Sequence, residues 1–233
     1  MQKKRENIHS SFHELSPREY MYIPKGTLEA GKPGSFSKTE LTNLLIAIAV
    51  LTVSFSFVFS PIYRFHFNEF FLAIPKAFLG ILTAFIVHEL SHKFVAQKYG
   101  LWSEFRMYPK GLLASLLIAV LFGFAFTVPG AVMFRGDSRR FETGKIAAAG
   151  ATANLCIASL MFLLYQSFFE TPFYGELFGF ICLINAFLGT FNLIPLSPLD
   201  GKKVIEWNGI VWALLFIWGV VIASLIFPIA PLV

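Results

Sequence analysis

The chain has 233 residues, of which 56% are hydrophobic, 17% aromatic and only 14% charged, with a formal net charge of +5. Ordinary soluble domains carry roughly 45–50% apolar and about 25% charged residues, so this chain has too few polar side chains to cover a compact surface in water. That excludes a water-soluble globule, and two cysteines alone, Cys156 and Cys182, both within apolar runs, exclude a disulfide framework or a four-cysteine zinc site.

In chain order, residues 1–40 mix seven Lys or Arg with five Glu and include Pro17, Pro24 and Pro33. No helical period is sustained there, and the segment reads as a largely extended cytoplasmic tail. The first apolar run begins at residue 41 and is too long for the core of a cleavable signal peptide. Residues 41–233 then read as one integral membrane domain. The runs 41–60, 111–134, 146–169, 177–199 and 207–233 contain no Asp, Glu, Lys or Arg. Each meets the length of about 20 apolar residues that a helix needs to cross a bilayer core. Between the first two lies 70–100, apolar at its start and ending in the polar cluster HELSHK. The expected fold is an all-α polytopic membrane protein of five to six transmembrane helices.

The basic residues set an expected orientation. Of 19 Lys and Arg, 17 fall in the tail, in 93–110, in 135–145 or at Lys202 and Lys203, leaving only Arg64 and Lys76. Placing those 17 on the cytoplasmic side satisfies the positive-inside rule, so the positive charge reads as membrane topology and not as a nucleic-acid surface. The N-terminus and the inner ends of the helices that carry HELSHK and Asp200 then face the cytoplasm, with a prokaryotic cell membrane as the expected compartment. This orientation predicts that 111–134 makes no net crossing. It either dips in as a re-entrant element or crosses as a helix and returns as extended chain, with Pro129 and Gly130 at the bend. The rival reading is a plain sixth spanning helix.

His88 and His92 are four residues apart and share one helix face, where two imidazoles can hold one Zn²⁺ while Glu89 accepts a proton from activated water. Ionisable groups at the end of a hydrophobic helix cost ~2.5–3.5 kcal/mol each on insertion scales and are functional by default. A catalytic zinc needs a third protein ligand. Of the two aspartates, Asp137 sits in a basic turn, whereas Asp200 ends a 23-residue uncharged run in NLIPLSPLDG. Asp200 reads either as that ligand or as a helix-end carboxylate paired with Lys202 or Lys203. Glu104, Glu142 and Glu206 are the competing carboxylates.

HELSH on a transmembrane helix, followed more than a hundred residues later by NLIPLSPLDG, resembles the site-2 protease family of intramembrane zinc metalloproteases over roughly residues 70–206, in a compact form with no inserted PDZ-like or CBS-like domain visible. The resemblance implies that His88, His92 and Asp200 bind one Zn²⁺, that Glu89 is the catalytic base and acid, and that Asn192 stabilises the oxyanion. A third family element is similar to Gly150-Ala-Thr-Ala-Asn154, with Ala151 where the family often has Pro, and gives Asn154 a supporting role. Asn192 also reads as an inter-helix hydrogen-bonding group, and Asn154 as polar glue on a small-residue packing face.

The expected partners are a transmembrane protein substrate and the lipid bilayer. Such a substrate must unwind to reach the metal, and a strand edge would help by pairing with it; 132–141 is the expected hairpin. A non-catalytic metal-binding membrane chaperone or a metal transporter is the alternative function.

Overall fold

The computed structural model describes residues 34–60, 67–124 and 129–228. The expected tail lies outside these except for its last residues, which are already built into the fold. Ser37 caps helix α1 (Lys38–Phe59), its hydroxyl accepting from the Glu40 amide at 3.1 Å, so the tail reading fails at residues 38–40. The signal was Ser-x-x-Glu before an apolar run, a helix-start pattern. Glu40, however, does not turn back to the cap. It is fully buried, pairs with fully buried Lys93, and accepts from the Phe105 amide at 3.0 Å.

Helix α2 (Phe67–Ile81), a π-helical turn (Leu82–Ile86) and helix α3 (Val87–Lys98) run on as one element, and Asn68–Lys98 is long and apolar enough to cross a membrane. So are α1, α5 (Arg140–Phe168), α6 (Pro172–Asn192) and α8 (Gly209–Ile226), giving five candidate spans among the described residues and a multi-pass integral membrane protein. Helix α6 stops at Asn192, short of the uncharged run's end, because Pro195 and Pro198 cannot continue it. The chain turns there and enters the short helix α7 (Asp200–Trp207).

The segment between α3 and α5 is a hairpin with a helical insert. Strand β1 (Trp102–Met107) leads to helix α4 (Pro109–Phe122), and strand β2 (Gly130–Arg135) returns antiparallel to β1, pairing Met107 with Gly130 and Trp102 with Arg135. At 14 residues α4 spans about 21 Å, too short for a bilayer core of ~30 Å. It ends at Gly123, whose φ of 65° suits a left-handed cap. At Gly130 a Cβ would come within 2.8 Å of the Met107 Cα, so only glycine lets the strands close here. Since Trp102 and Arg135 lie at one end of the ladder, the chain leaves α3 and enters α5 on the same side, in the manner of a re-entrant segment. The expected hairpin over 132–141 is corrected. The strand is Gly130–Arg135, its partner is β1, and Phe141 already belongs to α5.

Alternate pairs in an antiparallel ladder point their N–H groups outward. Phe105 and Val132 are such a pair: the Phe105 amide donates to Glu40, and the Val132 amide donates at 2.8 Å to Glu89. Each free edge of the sheet therefore ends on one buried carboxylate. The other face packs Phe105, edge-on to Phe85, into a core with Leu44, Leu51, Ala84 and Leu112.

Lys98 and Arg139 are both exposed at the ends flanking this hairpin. Single cysteines placed at the two positions in a cysteine-free background are expected to react with a membrane-impermeant maleimide from the same side. Labelling from opposite sides would mean a net crossing between them.

Candidate metal centre

The four polar residues of the HELSHK turn that face inward, His88, Glu89, His92 and Lys93, are all buried, and each meets a partner from another element. Lys93 finds Glu40 on α1. Glu89 finds the Val132 amide on β2. The Nδ1 atoms of the two histidines face acceptors on α5: His88 lies 2.5 Å from Asn154 Oδ1, and His92 lies 2.7 Å from the Ile146 carbonyl. Both acceptors lack a proton to give, so both Nδ1 atoms carry the hydrogen, and in the neutral rings both Nε2 atoms carry a lone pair.

Those two lone pairs meet. The Nε2 atoms are 3.0 Å apart, and Asp200 Oδ2 lies 2.9 Å from that of His92 and 3.5 Å from that of His88. Among the described residues, His88, His92 and Asp200 form a group able to hold a metal ion, with ligand atoms all within 4.8 Å of one another. Ligands about 2.0–2.1 Å from a tetrahedral zinc stand roughly 3.3 Å apart, inside the observed spread. Three electron-rich atoms at this separation repel unless a proton or a metal cation lies between them. The donor set, two imidazoles and a carboxylate, suits Zn²⁺, and the residues present fit it.

Asp200 sits where both sequence readings would put it. It opens α7 with Oδ2 toward the histidines, while Oδ1 accepts from Lys203 at 3.0 Å. The competing carboxylates are occupied elsewhere or exposed: Glu104 pairs with Arg106, Glu142 caps the Arg139 amide, and Glu206 points to the surface.

The structure bonds Asn154 to His88, while the side-chain N–H of Asn192 donates along its own helix to the Leu188 carbonyl at 3.0 Å. Sequence reasoning missed the Val132 amide and the Ile146 carbonyl, because main-chain groups carry no signature in residue type. It also missed Asn185, an uncharged polar residue within an apolar run.

Helix α5 reaches the histidines through Gly150, where an added Cβ would lie 2.5 Å from His92 Nε2 and 2.8 Å from His88 Cε1. Real Cβ atoms do not approach so closely, so Gly150→Ala is expected to push the imidazoles off their convergence. Purified Gly150→Ala protein should bind zinc at least tenfold more weakly than wild type by chelator competition. Undiminished affinity would contradict the placement of α5 over the ligands.

No family model and no solved structure matches the chain. Over 182 residues it is 37% identical to "Putative zinc metalloprotease MJ0611" of Methanocaldococcus jannaschii, covering 77% of this chain and 90% of that protein. It is 29% identical over 140 residues to "Zinc metalloprotease MJ0392" of the same organism, covering 60% of this chain and 35% of that longer protein. It is also 28% identical over 159 residues to "Putative zinc metalloprotease YwhC" of Bacillus subtilis, covering 57% of this chain and 68% of that one. With two imidazoles and a carboxylate converging beside a buried glutamate, and with that extent of shared sequence, the chain belongs to this family of zinc metalloproteases.

Proposed function

We propose that the chain is an intramembrane zinc endopeptidase of the site-2 protease kind, hydrolysing peptide bonds within or near transmembrane segments of membrane-protein substrates. The observation that carries the reading is the position of His88, Glu89 and His92 on Asn68–Lys98, itself a candidate membrane span. A protease acting on soluble chains has no need to set its charged groups into such a helix, where insertion costs ~2.5–3.5 kcal/mol per ionised group.

His88, His92 and Asp200 hold the metal, which when bound polarises the scissile carbonyl and lowers the pKa of water toward ~7. Glu89 takes the proton from the attacking water and passes it to the leaving amine, so that one water adds across one peptide bond. Its Oε2 is tied to the Val132 amide, which aligns the carboxylate. Asn192 serves the oxyanion by turning its amide away from the Leu188 carbonyl, at a cost of about 0.5–1.5 kcal/mol for the bond released. Asn154 orients His88.

The substrate arrives as a helix with its own carbonyls and amides paired, and it must unwind. An unwound segment loses those bonds in a medium without water, and the outward edge of β2, next to Glu89, offers replacement partners. The enzyme works in a prokaryotic cell membrane with its N-terminus and active site toward the cytoplasm, as the basic loops favour.

The test is purified, zinc-loaded protein incubated with a transmembrane peptide in proteoliposomes. Glu89→Gln is expected to retain zinc and lose at least 10²-fold in cleavage rate, in the range typical of losing a general base. Equal cleavage by the variant would overturn the role of Glu89, and zinc binding by wild type with no cleavage would favour the metal-chaperone or transporter reading.

A further inference from the structure

We propose that Asn185, on α6, is a positioning residue for the metal centre. Through Asn154 it fixes which ring nitrogen of His88 carries the proton, and so keeps the other nitrogen's lone pair turned toward the metal. The inference rests on the reading of His88, His92 and Asp200 as metal ligands.

Donors and acceptors along one buried chain of groups leave a single arrangement of hydrogens. Thr83 has a single hydroxyl hydrogen, which it gives to the carbonyl of Leu79 at 2.8 Å or of Gly80 at 3.1 Å. Its oxygen is then left to accept, and it accepts from Asn185 Nδ2 at 3.2 Å. The same Asn185 Nδ2 also donates to the Ile181 carbonyl at 2.9 Å, so both of its hydrogens are committed. Asn185 Oδ1 therefore faces Asn154, accepting from Nδ2 at 2.9 Å. The second hydrogen of Asn154 Nδ2 goes to the Ala84 carbonyl at 2.8 Å, which leaves Asn154 Oδ1 for His88 Nδ1. A carbonyl oxygen only accepts, so His88 must donate from Nδ1.

Each link has one possible sense because the chain is pinned by main-chain carbonyls at Leu79 or Gly80, Ile181 and Ala84. Both asparagines are fully buried. Turning either amide over would set oxygen against oxygen with no water to relieve it. Thr83 and Ala84 lie in the π-helical turn, where the main-chain ladder departs from the regular α-helix immediately before His88. Such turns often sit beside functional sites.

Asn185→Leu keeps the branched side-chain shape and removes one of the two acceptors that hold Asn154 in place, leaving only the Ala84 carbonyl. With one acceptor gone, the Asn154 amide more often turns over and presents its NH₂ to His88 Nδ1, which favours the imidazole tautomer protonated at Nε2. That tautomer has no lone pair at Nε2, the nitrogen that faces the metal position. Asn185 thus acts on the centre at one remove, touching neither metal nor substrate.

The test is Zn²⁺ affinity by chelator competition, with the Co²⁺ absorption spectrum in parallel, on the full chain in nanodiscs. The proteins are wild type, His88→Ala, Asn154→Ala, Asn185→Leu and the Asn154→Ala/Asn185→Leu double variant. Asn185→Leu is expected to weaken zinc binding about tenfold, the lower end for partners outside the ligand shell, and to shift the Co²⁺ bands. In the Asn154→Ala background it should cause no further loss, because the relay is already cut. Wild-type affinity in Asn185→Leu, or losses that add in the double variant, would overturn the proposal. If Asn185→Leu does not fold, Thr83→Val replaces it, with a smaller loss that must likewise vanish in the Asn154→Ala background. Unchanged binding in His88→Ala would instead show that the ligand reading itself fails.

Discussion

Inside a membrane there is no water to accept a stray proton or solvate a stray charge, so every polar group on a spanning helix must be matched by another part of the protein. Helix α3 concentrates that requirement by carrying His88, Glu89, His92 and Lys93 within six residues. Much of the architecture can be read as the way those four are matched. Asn154 and the Ile146 carbonyl on α5 meet the histidines, the Val132 amide on β2 meets Glu89, and Glu40 on α1 meets Lys93. The first helix, the sheet and the central helix are thus each fastened to the same turn of α3. Breaking a fully buried ion pair such as Glu40 with Lys93 by removing one partner typically costs ~3–5 kcal/mol, which indicates how firmly α1 is tied in.

Close approach of backbones makes this matching possible. Gly150 lets α5 lie against the two imidazoles, and Gly189 brings α6 to 3.0 Å from the Asn154 Cβ by the same measure of an added Cβ. Small residues at helix interfaces are how membrane helices gain packing without a hydrophobic driving force. Here they also bring the amides of Asn154 and Asn185 within hydrogen-bonding distance. The packing face and the polar relay are therefore one feature, and the two readings of Asn154, helix glue and site support, describe the same bond.

His88, Glu89, His92 and Asp200 were legible in the sequence because charge is scarce. In a chain with 14% charged residues, a cluster of ionisable groups at the end of an apolar run stands out, and the helical repeat places the two histidines on one face. The five spans were legible by length for the same reason. The sheet was only half legible. Gly130 marked a bend, but WSEFRM is buried on both faces and so shows no alternation of apolar and polar residues, which hid β1 as the partner strand. Glu40 looked like tail because a carboxylate's burial depends on a lysine 53 positions away. Asn192 was singled out by resemblance, whereas Asn185, deeper in the same apolar run, carries the contact to Asn154. Nothing in residue type distinguishes one asparagine on α6 from the other; only helix rotation does.

The chemistry turns on two imidazoles and the Asp200 carboxylate holding one zinc beside Glu89. Zinc X-ray absorption on the purified full chain tests it most directly. The account predicts one zinc per chain with nitrogen and oxygen neighbours at about 2.0–2.2 Å, two of them imidazole, and loss of zinc or of an oxygen neighbour in Asp200→Ala. A sulfur neighbour at about 2.3 Å, or a spectrum unchanged in Asp200→Ala, would contradict it.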